Sequence, residues 1–315
     1  MSKHLRIWLF VFLGTLLAST TLLAQGVITM TTSKVVGEEI GLIIKANGNI
    51  IIDGAQYPGK TDNLDRKSYR LTSQTITIRG DVTVLDCRYN QLTSLDVSKN
   101  TALIMLVCSN NQLTSLNVSK NTVLTRLGCR YNQLTSLNVS KNTALTELSC
   151  SSNQLTSLDL SQNTALTTLL CSFNKLTSLD VSKNTALTNL GCYNNQLTRL
   201  DLPKNTTLTW LDCSFNKLTS LNVSKNTALT KLYCYDNQLT NLNVSGCARL
   251  TTIDCSSNYI NGKAMTKLVN SLPNRRGKSR GLILLVDRSS KKRNKNRCSA
   301  ADVTTARRKN WKVLK

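Results

Sequence analysis

An alternation of apolar and polar positions recurs through the middle of the chain. In the stretch LTELSCSSNQLTSLDLSQNTAL, residues 145 to 166, Leu148 and Cys150 alternate with Glu147, Ser149 and Ser151. A period of two is typical of a strand with one buried face. Further leucines follow after a turn, so each repeat predicts one short strand and a return path that closes one coil.

The repeat has a strict length, which its cysteines mark. Cysteines stand 21 residues apart at Cys87, Cys108, Cys129, Cys150, Cys171, Cys192, Cys213, Cys234 and Cys255. Stacked coils place their strands in one parallel sheet, and neighbours about 4.8 Å apart predict a ridge roughly 40 Å long. One coil cannot bury its own leucines, so the two end coils need covers.

The flanks of the repeats predict such covers. Residues 25–80 are predicted to form a small β cap at the N-terminus, with strands at 27–32, 40–45, 50–53 and 75–79. Residues 261–315 are predicted to form a basic α/β cap, with helices at 262–272 and 299–310 and strands at 282–286 and 311–314. The solenoid itself is predicted over residues 81–260.

The repeat LxxLxCxxNxLTxLDVSxNTxL resembles that of the internalin-J-like, cysteine-bearing leucine-rich-repeat proteins of the Bacteroidetes and Porphyromonas type. The resemblance covers about residues 81 to 260. It implies a curved solenoid with a cysteine ladder and a cell-surface role in adhesion or biofilm formation. The chain is therefore predicted to be a curved leucine-rich-repeat solenoid with a parallel β-sheet ridge, a β N-terminal cap and an α/β C-terminal cap.

The first residues predict export. Lys3 and Arg6 precede an apolar run over residues 7–18, which is typical of a signal peptide. We place its end at Ala24, so residues 1–24 are predicted to be removed. No other stretch has the roughly 18 apolar residues that a membrane helix requires, so no span is expected in the mature chain. The protein is expected to be secreted, periplasmic or on the outer surface of a bacterium.

Composition argues against an enzyme. The only histidine, His4, lies in the predicted signal peptide, which excludes histidine-based nucleophile activation, proton transfer and metal ligation in the mature chain. The carboxylates Asp96, Asp159, Asp180 and Asp201 exchange with asparagine at the equivalent position of other repeats. That exchange fits a turn better than acid catalysis. We therefore predict no catalytic residue, no metal site and no cofactor.

Two periodic residue types are predicted to be structural. The nine repeat cysteines share the phase of the core leucines, so we expect buried, reduced thiols. A disulfide between Cys247 and Cys298 is an alternative for the two cysteines outside the ladder. An asparagine ladder is expected to satisfy backbone groups where each strand turns. Its members are Asn90, Asn111, Asn132, Asn153, Asn174, Asn195, Asn216, Asn237 and Asn258.

Outward positions next to the strands vary from repeat to repeat, and aromatic residues gather in the sixth to eighth. The predicted ligand-binding residues are Tyr193, Trp210, Lys231, Tyr233 and Tyr235, with Arg88, Arg126 and Arg130 as a separate basic rim. Aromatic side chains dominate interface hot spots, so the pattern favours a protein or glycan ligand. Neutral variation at exposed positions is the alternative interpretation.

The positive charge is concentrated at the C-terminus. The whole chain carries a net charge of +23, and residues 261–315 hold seventeen Lys or Arg against Asp287 and Asp302. The run RSSKKRNKNR, residues 288–297, is either a solvated loop or a patch that attracts nucleic acid, lipopolysaccharide or acidic glycans. Binding of such an anionic polymer is the second functional hypothesis.

Overall fold

A computed structural model describes residues 26–59, 66–286 and 295–314. The predicted signal peptide lies outside these ranges. The strands are β1 Val27–Thr32, β2 Glu39–Asp53, β3 Ala55–Gln56, β4 Lys67–Leu71, β5 Thr75–Asp86, β6 Leu92–Asp96, β7 Met105–Val107, β8 Arg126–Gly128, β9 Glu147–Ser149, β10 Thr168–Leu170, β11 Asn189–Gly191, β12 Trp210–Asp212, β13 Lys231–Tyr233, β14 Thr252–Asp254, β15 Gly281–Leu284 and β16 Trp311–Leu314. The helices are α1 Gly262–Ser271 and α2 Ala300–Arg308.

One parallel sheet runs along the repeats. The end of β5 pairs with β7, and every following strand through β16 pairs with the next in parallel. The register repeats the sequence period, since Leu127 lies opposite Leu148 and Leu148 lies opposite Leu169. The strict spacing of the sequence is therefore the spacing of one coil, and equivalent side chains form columns across the sheet.

We number the positions of a coil from the leucine that opens the repeat, so that Leu145 is first, Leu148 is fourth and Cys150 is sixth. These three side chains are buried, and so are the later leucines of the coil, Leu155 and Leu160. Each coil thus presents apolar side chains from its strand and from its return path to the same interior. Stacking makes one continuous core, as the alternation in the sequence predicts.

The nine repeat cysteines form a ladder at the sixth position and are all buried. None of the eleven cysteines of the chain forms a disulfide in the structure. Burial raises the pKa of Cys87 and of Cys150 to about 12, so these thiols are protonated near neutral pH. A buried, protonated thiol packs as a small apolar group and is a poor nucleophile.

The pairing of Cys247 with Cys298 is not formed. Cys247 is buried, and its Sγ donates to the carbonyl oxygen of Val223 at 3.4 Å. Cys298 is half-buried and lies near Cys255 instead, whose pKa is raised by burial, by the charge of Asp254 and by the proximity of Cys298. The two thiols therefore have separate surroundings, which the sequence spacing did not reveal.

The asparagines at the ninth position hold adjoining coils together. The Asn153 side chain donates through Nδ2 to the carbonyl oxygens of Cys129 and Cys150, both at 3.0 Å. Its Oδ1 accepts from the backbone amide of Leu134 at 3.0 Å. Each such side chain satisfies backbone groups of its own coil and of the preceding one, which would otherwise be buried without partners.

A second asparagine ladder, absent from the sequence-based interpretation, lies at the nineteenth position. Its members are Asn100, Asn121, Asn142, Asn163, Asn184, Asn205 and Asn226, and all are buried. Asn163 donates to the carbonyl oxygens of Val139 and Asn142, while its Oδ1 is buried without a partner. Cys247 occupies the next position of this column. Its thiol donates to the carbonyl that an asparagine would reach there.

The N-terminal strands form an antiparallel layer that joins the coil sheet through β5. The first half of β5 pairs with β1, nearly its whole length pairs with β2, and its last residues also pair with β7 on the other side. The predicted strands at 40–45 and 50–53 are one long strand, β2, whose pairing with β5 shifts register between Asn47 and Ile51. Gly48, with φ of +96°, lies in that irregularity. The sequence analysis predicted two strands here, whereas the glycine accommodates a bulge within one strand.

The C-terminal segment continues the sheet with longer coils. Ile253 pairs with Ile283, and Ile283 pairs with Val313, so the spacing becomes 30 residues. Helices α1 and α2 supply the extra length, because a helix advances only about 1.5 Å per residue. Both helices begin and end within two residues of the predicted positions. The sheet therefore crosses residue 260 without interruption, and the function of residues 261–315 as a cap stays a prediction.

Candidate binding surface

The outward face of the coil sheet is built from the third, fifth and seventh positions of the coils, and we call this face the ridge. In β9 the third and fifth residues, Glu147 and Ser149, are half-buried on either side of the buried Leu148. Alternation along a strand places them on the opposite side from the core. Because the coils are in register, each of these positions forms a column, and the ridge displays the variable residues of the repeat.

A strained turn follows each strand. The eighth residue of every coil has a positive φ, from 50° to 61°, and these residues are Tyr89, Asn110, Tyr131, Ser152, Phe173, Asn194, Phe215, Asp236 and Ser257. Asparagine and aspartate adopt this conformation at low cost, whereas bulky side chains rarely do. Phe173 and Phe215 are nevertheless exposed there. The turn thus adds aromatic rings along the edge of the ridge.

These rings pair with tyrosines of the next coil. The ring centroids of Phe173 and Tyr193 lie 4.9 Å apart at an interplanar angle of 75°. Phe215 and Tyr235 repeat this arrangement two coils later, with centroids 5.0 Å apart and the same angle. Edge-to-face contacts of this kind are favourable for aromatic rings. They hold Tyr193 and Tyr235 in place at the seventh position of the ridge.

The indole of Trp210 lies across the neighbouring strand. Gly191, at the fifth position of the preceding coil, is buried, and a Cβ atom added there would come within 3.1 Å of Cζ3 of Trp210. The absence of a side chain at Gly191 therefore makes room for the ring. Trp210 and Lys231 also line a shallow groove of about 420 Å³ with Thr209 and Thr230. Trp210 is half-buried, so part of the ring remains available to a ligand.

Two carboxylates flank a tyrosine in the fifth column. Asp212 lies opposite Tyr233, and Tyr233 lies opposite Asp254 on the next strand. Burial raises the pKa of Asp212, and the nearby carboxylate of Asp254 raises it further, against the lowering effect of a hydrogen bond from the Ser214 amide. Burial also raises the pKa of Tyr233, as do Asp212 and Asp254. The two negative charges therefore repel each other at a partly desolvated place on the ridge.

We call Trp210, Asp212, Tyr233, Tyr235 and Asp254 the aromatic–acidic cluster. Tyr235 belongs to it because its pKa is raised first by burial and then by the charges of Asp212 and Asp254. Three aromatic rings and two carboxylates from three successive coils thus share one part of the ridge. The sequence analysis named the three aromatic members and omitted both aspartates.

The predicted basic residues have a different environment. Arg88 donates through Nε to Oδ2 of Asp86 at 2.8 Å, and Arg126 forms an ion pair with Glu147 of the next coil. Arg130 stacks over the ring of Tyr131, with its guanidinium carbon 5.5 Å from the ring centroid. Two of the three predicted basic residues therefore already have carboxylate partners within the chain.

The structure brings together some of the predicted ligand-binding residues and separates others. Trp210, Lys231, Tyr233 and Tyr235 lie on two adjacent coils, and Tyr193 lies one coil before them. Arg88 lies at the start of the sheet, far from this group along the column. The exposed rings of Phe173 and Phe215 were missed, because the sequence analysis considered the outward positions next to the strands and not the turn that follows them. The aromatic residues at the turn position of four coils, Tyr89, Tyr131, Phe173 and Phe215, were the available signal.

The described ranges contain neither a cluster of metal ligands nor a membrane-spanning helix. Within them, no group of three or more His, Cys, Asp or Glu side chains is placed to hold a metal ion. Neither helix in those ranges has the length and apolar character to cross a bilayer. Of the basic run at 288–297, residues 288–294 lie outside the described ranges, and Lys295 and Arg297 are exposed.

The parallel sheet, the 21-residue spacing and the buried cysteine ladder define the class: the protein is a leucine-rich-repeat solenoid, as predicted. A leucine-rich-repeat protein from Leptospira interrogans is 27% identical over 56% of this chain, with a TM-score of 0.53. This chain covers 48% of that protein. The leucine-rich-repeat domain of APL1B is 20% identical, with 69% of this chain and 68% of that domain covered and a TM-score of 0.51.

The functional domain of InlJ from Listeria monocytogenes, whose structure includes a cysteine ladder, is 33% identical over 76% of this chain, with a TM-score of 0.45. This chain spans 60% of the length of that domain. No protein-family model matches the sequence, and no curated protein matches it. The similarity to Bacteroidetes and Porphyromonas proteins stays a prediction.

Proposed function

We propose that the protein is an exported, non-enzymatic recognition scaffold that binds a protein or a glycan through the ridge, in adhesion, biofilm formation or host interaction. The observation that carries the proposal is the group of aromatic rings on successive coils, from Phe173 to Tyr235. Exposed aromatic rings gathered on one rigid face are characteristic of binding sites.

The rigidity of the ridge supports this function. Trp210 packs across Gly191, and Tyr193 and Tyr235 pack against rings of the preceding coils, so their torsions are largely fixed before a ligand arrives. Fixed side chains lose little conformational entropy on binding.

Export and adhesion rest on the sequence. Residues 1–24 are typical of a signal peptide, and the repeat resembles that of cell-surface leucine-rich-repeat proteins. The mature chain has no histidine, and its ladder thiols are buried, which supports a scaffold without catalysis. We accordingly assign the protein no cofactor.

Adhesion of coated beads tests the proposal. Beads carrying the protein are applied to an epithelial monolayer, and their retention is compared with that of beads carrying the double variant Trp210→Ala/Tyr233→Ala. Ser157→Ala, an exposed change on the return path of a coil, is the control. We expect retention of the wild-type and control beads and loss of the double variant. Protease or periodate treatment of the monolayer then separates a protein ligand from a glycan.

Equal retention of all three kinds of beads would refute ridge binding. Retention that falls steeply with salt and is unaffected by the double variant would instead support the second hypothesis, binding of an anionic polymer through the basic C-terminal segment. That hypothesis is favoured by the charge of residues 261–315, where Arg307, Arg308 and Lys312 are among the residues outside the core. Polyanion binding depends strongly on salt because it releases counterions.

A further inference from the structure

The aromatic–acidic cluster concentrates negative charge on a strongly basic chain. The protein has 40 Lys and Arg residues against 17 Asp and Glu, yet Asp212 and Asp254 occupy the same column two strands apart. The carboxylate of each raises the free energy of the other, as the raised pKa of Asp212 reflects in addition to its burial. Burial of Asp212 near a second carboxylate costs stability, so the charge of Asp212 calls for an explanation outside the fold.

The charge of Asp212 has no compensating cation among the described residues. Lys231 is a diagonal neighbour of Asp212, but within the described ranges no ion pair joins this lysine to a carboxylate. The factors that shift the pKa of Asp212 include no lysine or arginine. A positively charged group from outside would therefore relieve the repulsion that Asp212 experiences from Asp254.

A buried hydroxyl lies beside the same carboxylate. Ser214 is fully buried at the seventh position, and its Oγ has no hydrogen-bond partner. The hydroxyl is close enough to lower the pKa of Asp212, although it does not meet Asp212 in hydrogen-bond geometry. Two coils later the equivalent Ser256 donates to Asp254 at 2.7 Å. The hydroxyl of Ser214, beside Asp212, can thus form a hydrogen bond that it does not make in the folded chain.

The surrounding rings select the kind of cation. Tyr233 lies between the two aspartates, and Trp210 lies two residues before Asp212 on the same strand. An ammonium or guanidinium group binds favourably over an aromatic face, and its alkyl stem packs against the ring. A neutral sugar would stack on the rings but would leave the repulsion between the carboxylates in place.

We propose that the aromatic–acidic cluster binds a lysine or arginine side chain presented by a basic segment of a partner protein. This inference rests on the proposed function of the ridge and specifies the chemistry of its ligand. Charge complementarity selects the occupant: the carboxylate of Asp212, with the rings of Trp210 and Tyr233 beside it, matches a cationic side chain with an apolar stem.

A pair of charge-matched double variants tests the inference. The probe is a fluorescent peptide alternating glycine and lysine, and its binding to the full mature chain is measured by anisotropy at about 150 mM salt, where long-range charge effects are screened. Asp212→Asn/Asp254→Asn removes both carboxylates while retaining an acceptor for the following serine amide. The control, Asp159→Asn/Asp180→Asn, changes the net charge equally at exposed turns, where asparagine occurs in other coils.

We expect the cluster variant to weaken binding of the peptide by roughly tenfold or more and the control variant to leave it unchanged. The same peptide with acetylated lysines should bind no better to the wild type than to the cluster variant. Thermal melting of each variant verifies folding, and asparagine has nearly the shape of aspartate. Absence of peptide binding, equal weakening by both double variants, or equal binding of the acetylated peptide would each overturn the inference.

The bead experiment separates this inference from the function on which it rests. Beads that lose adhesion in Trp210→Ala/Tyr233→Ala but retain it in Asp212→Asn/Asp254→Asn would leave the ridge as the binding surface and overturn the cationic ligand. Binding of a neutral oligosaccharide that depends on Trp210 alone would lead to the same conclusion. Loss of adhesion in both double variants supports both proposals.

Discussion

Aspartates at the two ends of the ridge differ in whether the chain supplies a positively charged partner for them. In the first coil Asp86 is buried and receives Nη2 of Arg66 at 2.9 Å and Nε of Arg88 at 2.8 Å. The same column holds Asp212 six coils later and Asp254 eight coils later, and the negative charges of these two side chains repel each other. Asp86 thus has two cationic partners within the chain, whereas no lysine or arginine contributes to the pKa shift of Asp212.

The difference distinguishes a charge used for folding from a charge that is available for binding. Arg66 also donates to the carbonyl oxygens of Gly41 and Arg88, so the ion pairs of Asp86 tie β2 and β5 to the start of the coils. Asp212 instead accepts a local hydrogen bond from the amide of Ser214, two residues later on the same coil. Position in the repeat is therefore no guide to function unless the neighbours across the sheet are known.

Removal of Asp86 should have the largest effect. In Asp86→Ala, the guanidinium groups of Arg66 and Arg88 lose their common acceptor, and Arg66 is largely buried. Removing one partner of a buried ion pair costs about 3 to 5 kcal/mol. We expect the free energy of unfolding of Asp86→Ala, measured with urea, to fall by an amount of that order. Asp53→Ala breaks the exposed pair with Arg79 and should change it by less than about 1 kcal/mol. Similar losses in the two variants would contradict a structural role for Asp86.

Truncation of the cluster rings should affect binding but not folding. We expect Trp210→Ala or Tyr233→Ala to weaken binding of the lysine peptide by at least about 1 to 2 kcal/mol without lowering the melting temperature, because both rings face outward. Ser149→Ala, at the fifth position of the fourth coil, should bind the peptide like the wild type. Wild-type affinity in both aromatic variants would place the binding site elsewhere.

The space left at Gly191 permits a finer test of the cluster. In Gly191→Ala the new methyl group would lie 3.1 Å from both Cζ3 of Trp210 and Cδ2 of Leu170, so the indole and the leucine must shift slightly. We expect a destabilisation of about 1 kcal/mol with weaker peptide binding. Gly128 occupies the same position three coils earlier, and its nearest atom, Cγ1 of Val107, would lie at an ordinary 3.5 Å. Gly128→Ala should therefore leave both quantities unchanged. The same result for both glycines would show that the indole is not held over Gly191.

Sequence alone predicted the columns of the solenoid but not their interactions. Alternation placed Leu148 and Cys150 in the core, because a strand with one buried face leaves a period-two pattern. The repulsion of Asp212 and Asp254 escaped notice, since their two-coil separation matters only once the register is known. The packing of the indole over Gly191 depends on the rotamer of Trp210 in the next coil, which the spacing of residues in the sequence does not reveal.

The missed elements have the same cause. The asparagines of the second ladder were as periodic as those of the first, but only the contacts of Asn163 with Val139 and Asn142 identify them as links between coils. Phe173 and Phe215 stand at a turn that sequence reasoning assigns to small polar residues. Local patterns predict which way a side chain faces, while its neighbours in other coils decide what it contacts.

The smallest predicted effect is also opposite in sign to that of Asp86. Burial and Asp254 raise the pKa of Asp212 above its ordinary value, so ionisation of Asp212 disfavours the folded state near neutral pH. Asp212→Asn removes that charge and should stabilise the protein at pH 7 by up to about 1 kcal/mol while it weakens peptide binding.

The stabilisation by Asp212→Asn should depend on pH. As the pH falls through the raised pKa of the folded state, wild-type Asp212 becomes neutral and the folded state gains stability. Below the ordinary aspartate pKa of 3.8 the wild-type side chain is neutral in both states, and the advantage of Asp212→Asn should disappear. Asp180→Asn is the control, because the Ser182 amide lowers the pKa of Asp180 and its removal should not stabilise the protein at pH 7. Urea unfolding of the wild type, Asp212→Asn and Asp180→Asn at pH 7 and below pH 3.8 measures the difference. If Asp212→Asn were less stable than the wild type at neutral pH, this carboxylate would stabilise the fold, as Asp86 does.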